Sequence, residues 1–499
     1  MPQQAVPPLA VPAPIGGLAD GVPPMAMKPT QALQLINFVV RDGELAVRGG
    51  DQRIVAGLPG AVEALHTWRG ERTFAGLPDR LVEVGRNVTA TIATGLSSGR
   101  WTGDVIANDG GSLLVMANGY DGVRAFDGTT WRTATITADT TADGDLDASR
   151  LAGATYHMRR MWFWQRGTLD LWYLPAGQFA GVACAVPLAG LARNGGRVVG
   201  LAVMQSDTGR STDDSLVIVT SGGELFVAAG TNPNDAATWS ISGPYEIDAP
   251  LGWRPLAKVG GEVAVMTKTG LYAVGQIVGT PKERRDETAI GAPVGKAWRR
   301  EALRPAAPEW QVIEAGADDG VVIVNRPDGR QSVRTSGVWS ELAGMPATAW
   351  CETADGAWYG TAAGEIRRYG GTIYEQAVDA EVVTSFQRYG RNRLMHAVRI
   401  RPAMVSVPVR PRFRLLADYD ELPPIPQGHQ VTWPATRDAL AGPEWDFVWG
   451  ETGPTERRRW DWNTIAGRGH ALAVAMSVRT RAPLRLSGWD LMLTAGGAN

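Results

Sequence analysis

Cysteine, lysine and histidine are all scarce in this 499-residue chain. The only two cysteines, Cys184 and Cys351, lie far apart among small or apolar neighbours. That excludes a disulfide framework and a thiolate metal site, and leaves two buried free thiols. His66, His157, His396, His429 and His470 are scattered, with no two at metal-ligand spacing on one element, so neither metal nor cofactor is expected. An uninterrupted apolar run of about 18 residues is missing. So is a basic segment leading into an apolar one at the N-terminus. The expectation is a protein made in a cytoplasm, without membrane insertion. Lysine occurs five times, arginine supplies nearly all the positive charge, and the formal net charge is −2. Such a balance argues against a tight nucleic-acid binder.

What is abundant is turn chemistry and tryptophan: 61 Gly, 32 Pro and 19 Trp. The stretch from Arg159 to Trp239 shows the plan. Met161-Trp162-Phe163-Trp164 is an apolar run, Gln165 to Thr168 is a turn, and Leu169 to Leu174 returns as a strand stopped by Pro175. Val217-Ile218-Val219 then turns at Ser221-Gly222-Gly223 into Leu225-Phe226-Val227, and Trp239 closes the unit. Related hairpins occur at Gly111–Trp131, Glu262–Val274, Val321–Trp339 and Asp355–Arg367. Their spacing, roughly 40–50 residues, falls in the range of propeller blades. A Trp after the outgoing strand would plug the space between adjacent sheets. The sequence therefore predicts an all-β protein: a β-propeller-like domain of repeated hairpins plus a C-terminal β-sandwich-like domain. Two or three separate sandwiches are the competing arrangement.

Taken in order, residues 1–30 carry eight prolines and read as an extended Pro-rich arm, either loose or draped over a neighbouring subunit. Residues 31–375 form the propeller, opened by a hairpin at Asp42-Gly43. A charged segment at 284–309 is its one helical or irregular insertion. Residues 376–499 form the C-terminal β domain. Between Gln387 and Ala417 stand eight arginines and no acidic residue. Arg399 and Arg401, and then Arg410, Arg412 and Arg414, alternate with Val398, Ile400, Val409, Phe413 and Leu415. On a strand that segregates guanidinium groups to one face. These five arginines are the candidate DNA-channel or partner-facing residues, with a solvated or salt-bridged sheet face as the competing reading.

Catalytic patterns fail on context. Gly95-Leu96-Ser97-Ser98-Gly99 matches a nucleophile elbow, but turn and strand residues follow where a helix is required. Gly291 to Ala297 is one residue short of a phosphate loop and has Ala297 in place of Ser or Thr. Asp139, Asp143, Asp145 and Asp147 lack the closing Glu of a calcium loop. Asn87-Val88-Thr89 is a glycosylation sequon without a secretory context. Nothing nominates a carboxylate pair for glycoside cleavage, and no enzyme is expected.

Several segments in order resemble the tail nozzle proteins of short-tailed bacteriophages, also called packaged-DNA stabilisation or tail tubular proteins. They are Ile15-Gly16-Gly17-Leu18, Asn37 with Arg48-Gly49-Gly50, Asn118-Gly119, and Asp127-Gly128-Thr129-Thr130-Trp131. Arg160-Met161-Trp162-Phe163, Trp172-Tyr173-Leu174-Pro175, Gly230-Thr231-Asn232-Pro233 and Pro250-Leu251-Gly252 follow. Arg399-Ile400-Arg401-Pro402, Asp418-Tyr419-Asp420 and Trp445-Asp446 complete the set. The resemblance implies a virion tail protein assembled in the host cytoplasm as a homo-oligomer, a hexamer. It would meet an adaptor or head-completion protein and tail fibres, retain the genome, and pass double-stranded DNA at ejection. The alternative is a carbohydrate-binding or carbohydrate-cleaving propeller.

Overall fold

A computed structural model of the chain describes residues 8–86, 88–108, 111–139, 145–207, 212–259, 261–285, 289–303, 310–315, 321–390, 393–419, 457–459 and 461–495. They divide into two compact units, one of residues 53–331 and 345–369, the other of 1–52, 332–344 and 370–499.

The first unit is a β-propeller. Blade 1 is the antiparallel sheet Ala64–Trp68, Arg72–Leu77, Arg80–Gly85 and Val88–Thr94, and blade 2 is Thr102–Asn108, Gly111–Ala117, Val123–Phe126 and Trp131–Ala134. Blade 3 is Leu151–His157, Arg160–Gln165, Asp170–Tyr173 and Gly181–Pro187, with Ile136–Ala138 added in parallel. Blade 4 is Val198–Asp207, Thr212–Thr220, Glu224–Gly230 and Trp239–Glu246. Blade 5 has three strands, Leu256–Val259, Glu262–Met266 and Leu271–Ala273, followed by the helix Val274–Gly279. Blade 6 begins with Gln311–Ala315 and Val321–Asn325. Blade 7 is Ala347–Thr353, Gly356–Thr361 and Ile366–Tyr369, completed by the far earlier strand Asp51–Val55. The first strand of each blade touches the first strand of the next, and blade 7 returns to blade 1. Among the described residues, seven inner strands thus close a ring. That closure sets aside the arrangement of separate sandwiches.

Packing between blades explains why the strands read as unbroken apolar runs instead of alternating. In Arg160–Gln165, Met161 and Phe163 enter the core shared with blade 2, while Trp162 enters the core shared with blade 4. In Thr212–Thr220, Leu216 and Ile218 face blade 3, and Val217 and Val219 face blade 5. Both faces are buried, so both must be apolar. Two of the closing tryptophans are inter-blade plugs, as expected. Trp239, first residue of blade 4's outer strand, stacks on Trp162 of blade 3 at 5.4 Å and 10°. Trp131, at the same position in blade 2, meets Phe74 of blade 1 edge-on at 4.9 Å. The charged insertion is helical in part: Gly295–Ala302 buries Trp298 and Glu301. No described helix is long and apolar enough to cross a membrane.

The second unit holds two sheets in the sandwich-like pattern expected for the C-terminal domain. One runs Phe38–Arg41, Glu44–Val47, Leu484–Ala495, Met395–Ser406 and Arg457–Arg459, with Leu9–Pro12 pairing Leu484–Ala495 and Asn463–Gly469 pairing Met395–Ser406. The other contains Val338–Leu342, Ala32–Ile36, Val378–Thr384, Leu472–Thr480 and Arg412–Ala417. Two expectations are corrected here. Residues 32–50 belong with this unit and not with the propeller, because Ala32–Ile36 hydrogen-bonds to Val378–Thr384 and Glu44–Val47 to Leu484–Ala495; residues 332–344 group with this unit as well. Trp339 is buried and groups with this unit. The described part of the N-terminal arm is neither loose nor reaching outward. Leu9–Pro12 lies antiparallel to Leu484–Ala495, and Val11, Ala13, Leu18 and Ala19 are buried. Pro2 and Pro7 lie outside the described residues.

The opening segment of this unit is tied by one polar node. Asp42 and Gly43 both have positive φ, 51° and 75°, as the two-residue hairpin requires. Asn37, itself at φ 56°, donates to the Asp379 carbonyl at 2.8 Å and accepts from Arg48 Nε at 3.2 Å and Ala343 N at 2.9 Å. Gly49 and Gly50 pass so close to Gly370 and Ile373 that a Cβ would lie 2.6 and 2.0 Å from their backbone atoms.

Candidate functional site at the centre of the propeller ring

Before blade 5's inner strand the chain reads Leu251-Gly252-Trp253-Arg254-Pro255. Gly252 has φ +78°, and a Cβ there would sit 1.9 Å from the Trp310 carbonyl oxygen, so only glycine makes this turn. The turn sends the next two side chains across the ring. Trp253 packs against the core shared by blades 1 and 2, three blades away in either direction. Arg254 lies within electrostatic reach of His66 on blade 1 and Cys351 on blade 7, and its guanidinium carbon is 5.4 Å from the Trp253 ring centroid. Its backbone is fixed by a parallel bridge to Gln311 of blade 6, with Val312 N donating to the Arg254 carbonyl at 3.2 Å.

The electrostatics of this group follow from burial. His66 donates through Nε2 to the Trp101 carbonyl at 2.7 Å. Burial, with the positive charge of Arg254 adding to it, lowers its pKa to about 3, so the imidazole is neutral at working pH. Burial also lowers Arg254 to about 10 and raises the Cys351 thiol to about 12, which makes that thiol unreactive. Arg254 keeps some surface, yet its Nη1 is covered and has no hydrogen-bond partner among the described residues. Gln311 is fully buried, and neither its amide nitrogen nor its amide oxygen is partnered among them. On blade 2, Asp104 accepts from Tyr156 N and Val105 N, and burial raises its pKa against the pull of Lys258 on blade 5. Among the described residues, no group of three or more His, Cys, Asp or Glu is arranged to hold a metal ion.

The five candidate arginines do not form one stripe. Arg399 and Arg401 lie on Met395–Ser406 in one sheet, Arg412 and Arg414 lie on Arg412–Ala417 at the edge of the other, and Arg410 precedes that strand. The alternation also breaks at Val398. A register shift between Ala397 and Arg399 turns Val398 out to 44% exposure, while Ile400 stays fully buried. Arg401 is structural: it pairs with its cross-strand neighbour Asp490 at 2.6 Å and lies 4.8 Å from the Trp462 ring. Arg399, Arg410 and Arg412 are exposed.

Other sequence candidates have structural roles. Gly95–Gly99 is a turn held by Asp121 on Ser97 N and by Glu63 on Gly99 N. Asp147 caps a short 3-10 turn by accepting from Ser149 N at 3.0 Å. Asn87, Asp143, His429, Asp420, Trp445 and Asp446 lie outside the described residues. Sequence reading missed Gly252, Trp253, Arg254 and Gln311 as a group. The one local signal was a large aromatic–cationic pair wedged between Gly and Pro.

No family model matches the chain, and no curated protein does. Among solved structures it is similar to the computationally designed Ika8 protein, at 12% identity and a TM-score of 0.35 over 67% of this chain and 96% of that one. It is also similar to BBS1N, crystallised in complex with ARL6DN, at 13% identity and a TM-score of 0.40 over 66% and 98%. A further likeness is to the extracellular domain of the putative one component system BT4673 from B. thetaiotaomicron, at 9% and 0.44 over 74% and 48%. These are likenesses of fold alone.

Proposed function

We propose that this protein is a non-enzymatic subunit of a short-tailed phage's tail nozzle. In this reading it assembles as a homo-oligomeric ring below the adaptor, holds the packaged genome and conducts it at ejection. One observation carries the reading: residues that bear the family resemblance are those on which the fold depends. Asn37, Arg48, Gly49 and Gly50 build the polar node of the second unit, and Gly252 makes the turn into the ring. Asn118 ties the loop after blade 2's second strand by accepting from Tyr120 N and Asp121 N and donating to the Ser98 carbonyl. Asp418 accepts from His470 N at 2.7 Å and Ala471 N at 3.0 Å. Short motifs scattered over a chain carry weight when each has a mechanical reason to be where it is.

The ring centre constrains how such a subunit would conduct DNA. Trp253 and Arg254 cross the space inside the inner strands, so a duplex would run between copies and not through one propeller. A conduit also avoids multiplying phosphate contacts, since each one adds to retention. Among the described residues, the groups gathered around Arg254 are an indole, an imidazole, an amide and a thiol. None is the acid–nucleophile carboxylate pair of a glycosidase.

The test is light scattering and electron microscopy of the purified protein, alone and mixed with the cognate adaptor. A closed ring, free or seated on the adaptor, is expected. A protein that stays monomeric in both samples and binds or cleaves a glycan would overturn the reading in favour of the carbohydrate alternative.

A further inference from the structure

We infer that the centre of the propeller is a binding site for a small free oxyanion, a carboxylate or a phosphate, held by Arg254 and Gln311. Three observations converge. Arg254 and Gln311 are partners in a parallel bridge, which sets both side chains on the same face of the blade 5–blade 6 seam. Both carry buried polar atoms without a partner among the described residues: Nη1 of Arg254, and both amide atoms of Gln311, which is 0% exposed. No carboxylate is ion-paired with Arg254 among the described residues, and the groups coupled to it are an imidazole and a thiol.

A covered guanidinium nitrogen and a buried amide with nothing to bond are costly, because buried polar groups otherwise find partners. The complement they request is specific. A planar guanidinium fork offers parallel donors matched to two oxygens of one oxyanion, and the Gln311 NH2 adds a neutral donor beside it. Trp253 supplies an aromatic wall against the guanidinium, and Gly252 holds the loop without a side chain. Part of the Arg254 surface remains open, which leaves a route of entry. This inference is independent of the nozzle reading and survives its failure.

The experiment titrates the full-length protein with sodium phosphate and, separately, sodium acetate, against sodium chloride at matched ionic strength. It follows the thermal midpoint and the His66 imidazole resonances. Saturable stabilisation by phosphate or acetate beyond chloride is expected, with His66 shifting in step because it shares the field of Arg254. The two arms tell which oxyanion fits better. Arg254→Met is expected to weaken the response at least about tenfold. Gln311→Glu places a carboxylate beside the guanidinium. It is expected to abolish the response while leaving the midpoint at or above that of the unmodified protein, which keeps the test decisive if Arg254→Met fails to fold. The inference falls if the unmodified protein responds to neither anion beyond chloride. It falls equally if Gln311→Glu retains the response or loses stability.

Discussion

At the residue scale, single polar groups with several partners decide local geometry. Asn37 satisfies Asp379, Arg48 and Ala343 at once while holding a positive φ. Asn37→Ala leaves a half-buried carbonyl, an amide and a guanidinium each short of a bond. The expected loss is about 2–3 kcal/mol, read by chemical denaturation; a change below about 0.5 kcal/mol would mean that the node is redundant. His66 gives a pH signature. Its folded pKa, about 3, lies below the ordinary imidazole value of 6.5, so the unfolded chain binds more protons between the two. Its contribution to stability is therefore present above about pH 6.5 and is lost as pH falls towards 3. Denaturation midpoints from pH 7 to pH 4 should fall more steeply for the unmodified protein than for His66→Gln. Parallel profiles would remove His66 as the cause.

Elements were legible in the sequence to the extent that their information is local. The hairpins 161–174 and 217–227 appear with Trp162 opposite Tyr173 and Val219 opposite Leu225, because an apolar run, a glycine turn and a second run suffice to define them. Membership in a unit was not legible. Ala32–Ile36 looks like a blade strand, and only its pairing with Val378–Thr384, more than 300 residues away, assigns it elsewhere. The Arg-bearing strands were found, but a bulge at Val398 and a change of sheet undid the single stripe. The centre of the ring was invisible for the same reason: Arg254 and His66 become neighbours only on closure. Two outcomes are expected at this scale. Trp239→Ala removes the indole stacked between blades 3 and 4 and should cost about 3–5 kcal/mol, less the relief from its partial exposure; Trp131→Ala should behave alike at the boundary of blades 1 and 2. Arg399→Glu with Arg412→Glu should leave the thermal midpoint within about 2 °C, since surface substitutions rarely exceed about 0.5 kcal/mol, while impairing ring or adaptor assembly. Unimpaired assembly would remove those two cations from the interface.

For the whole molecule, the strand Asp51–Val55 finishes blade 7 beside Ile366–Tyr369, helped by Leu58 N on the Gly364 carbonyl at 3.0 Å and by the Arg53–Glu365 pair. Val55 and Leu58 enter the same core as Trp358 and Ile366. The latch also sets a timetable for synthesis. Residue 55 leaves the ribosome about 310 residues ahead of its partner, a wait of roughly 15–60 s at ordinary elongation rates. Throughout that interval Asp51–Val55 has no blade edge to join, and neither unit is complete until translation has passed residue 369. A nascent chain built this way needs shielding of its early strands, and a stalled ribosome would leave an aggregation-prone fragment instead of a smaller folded protein.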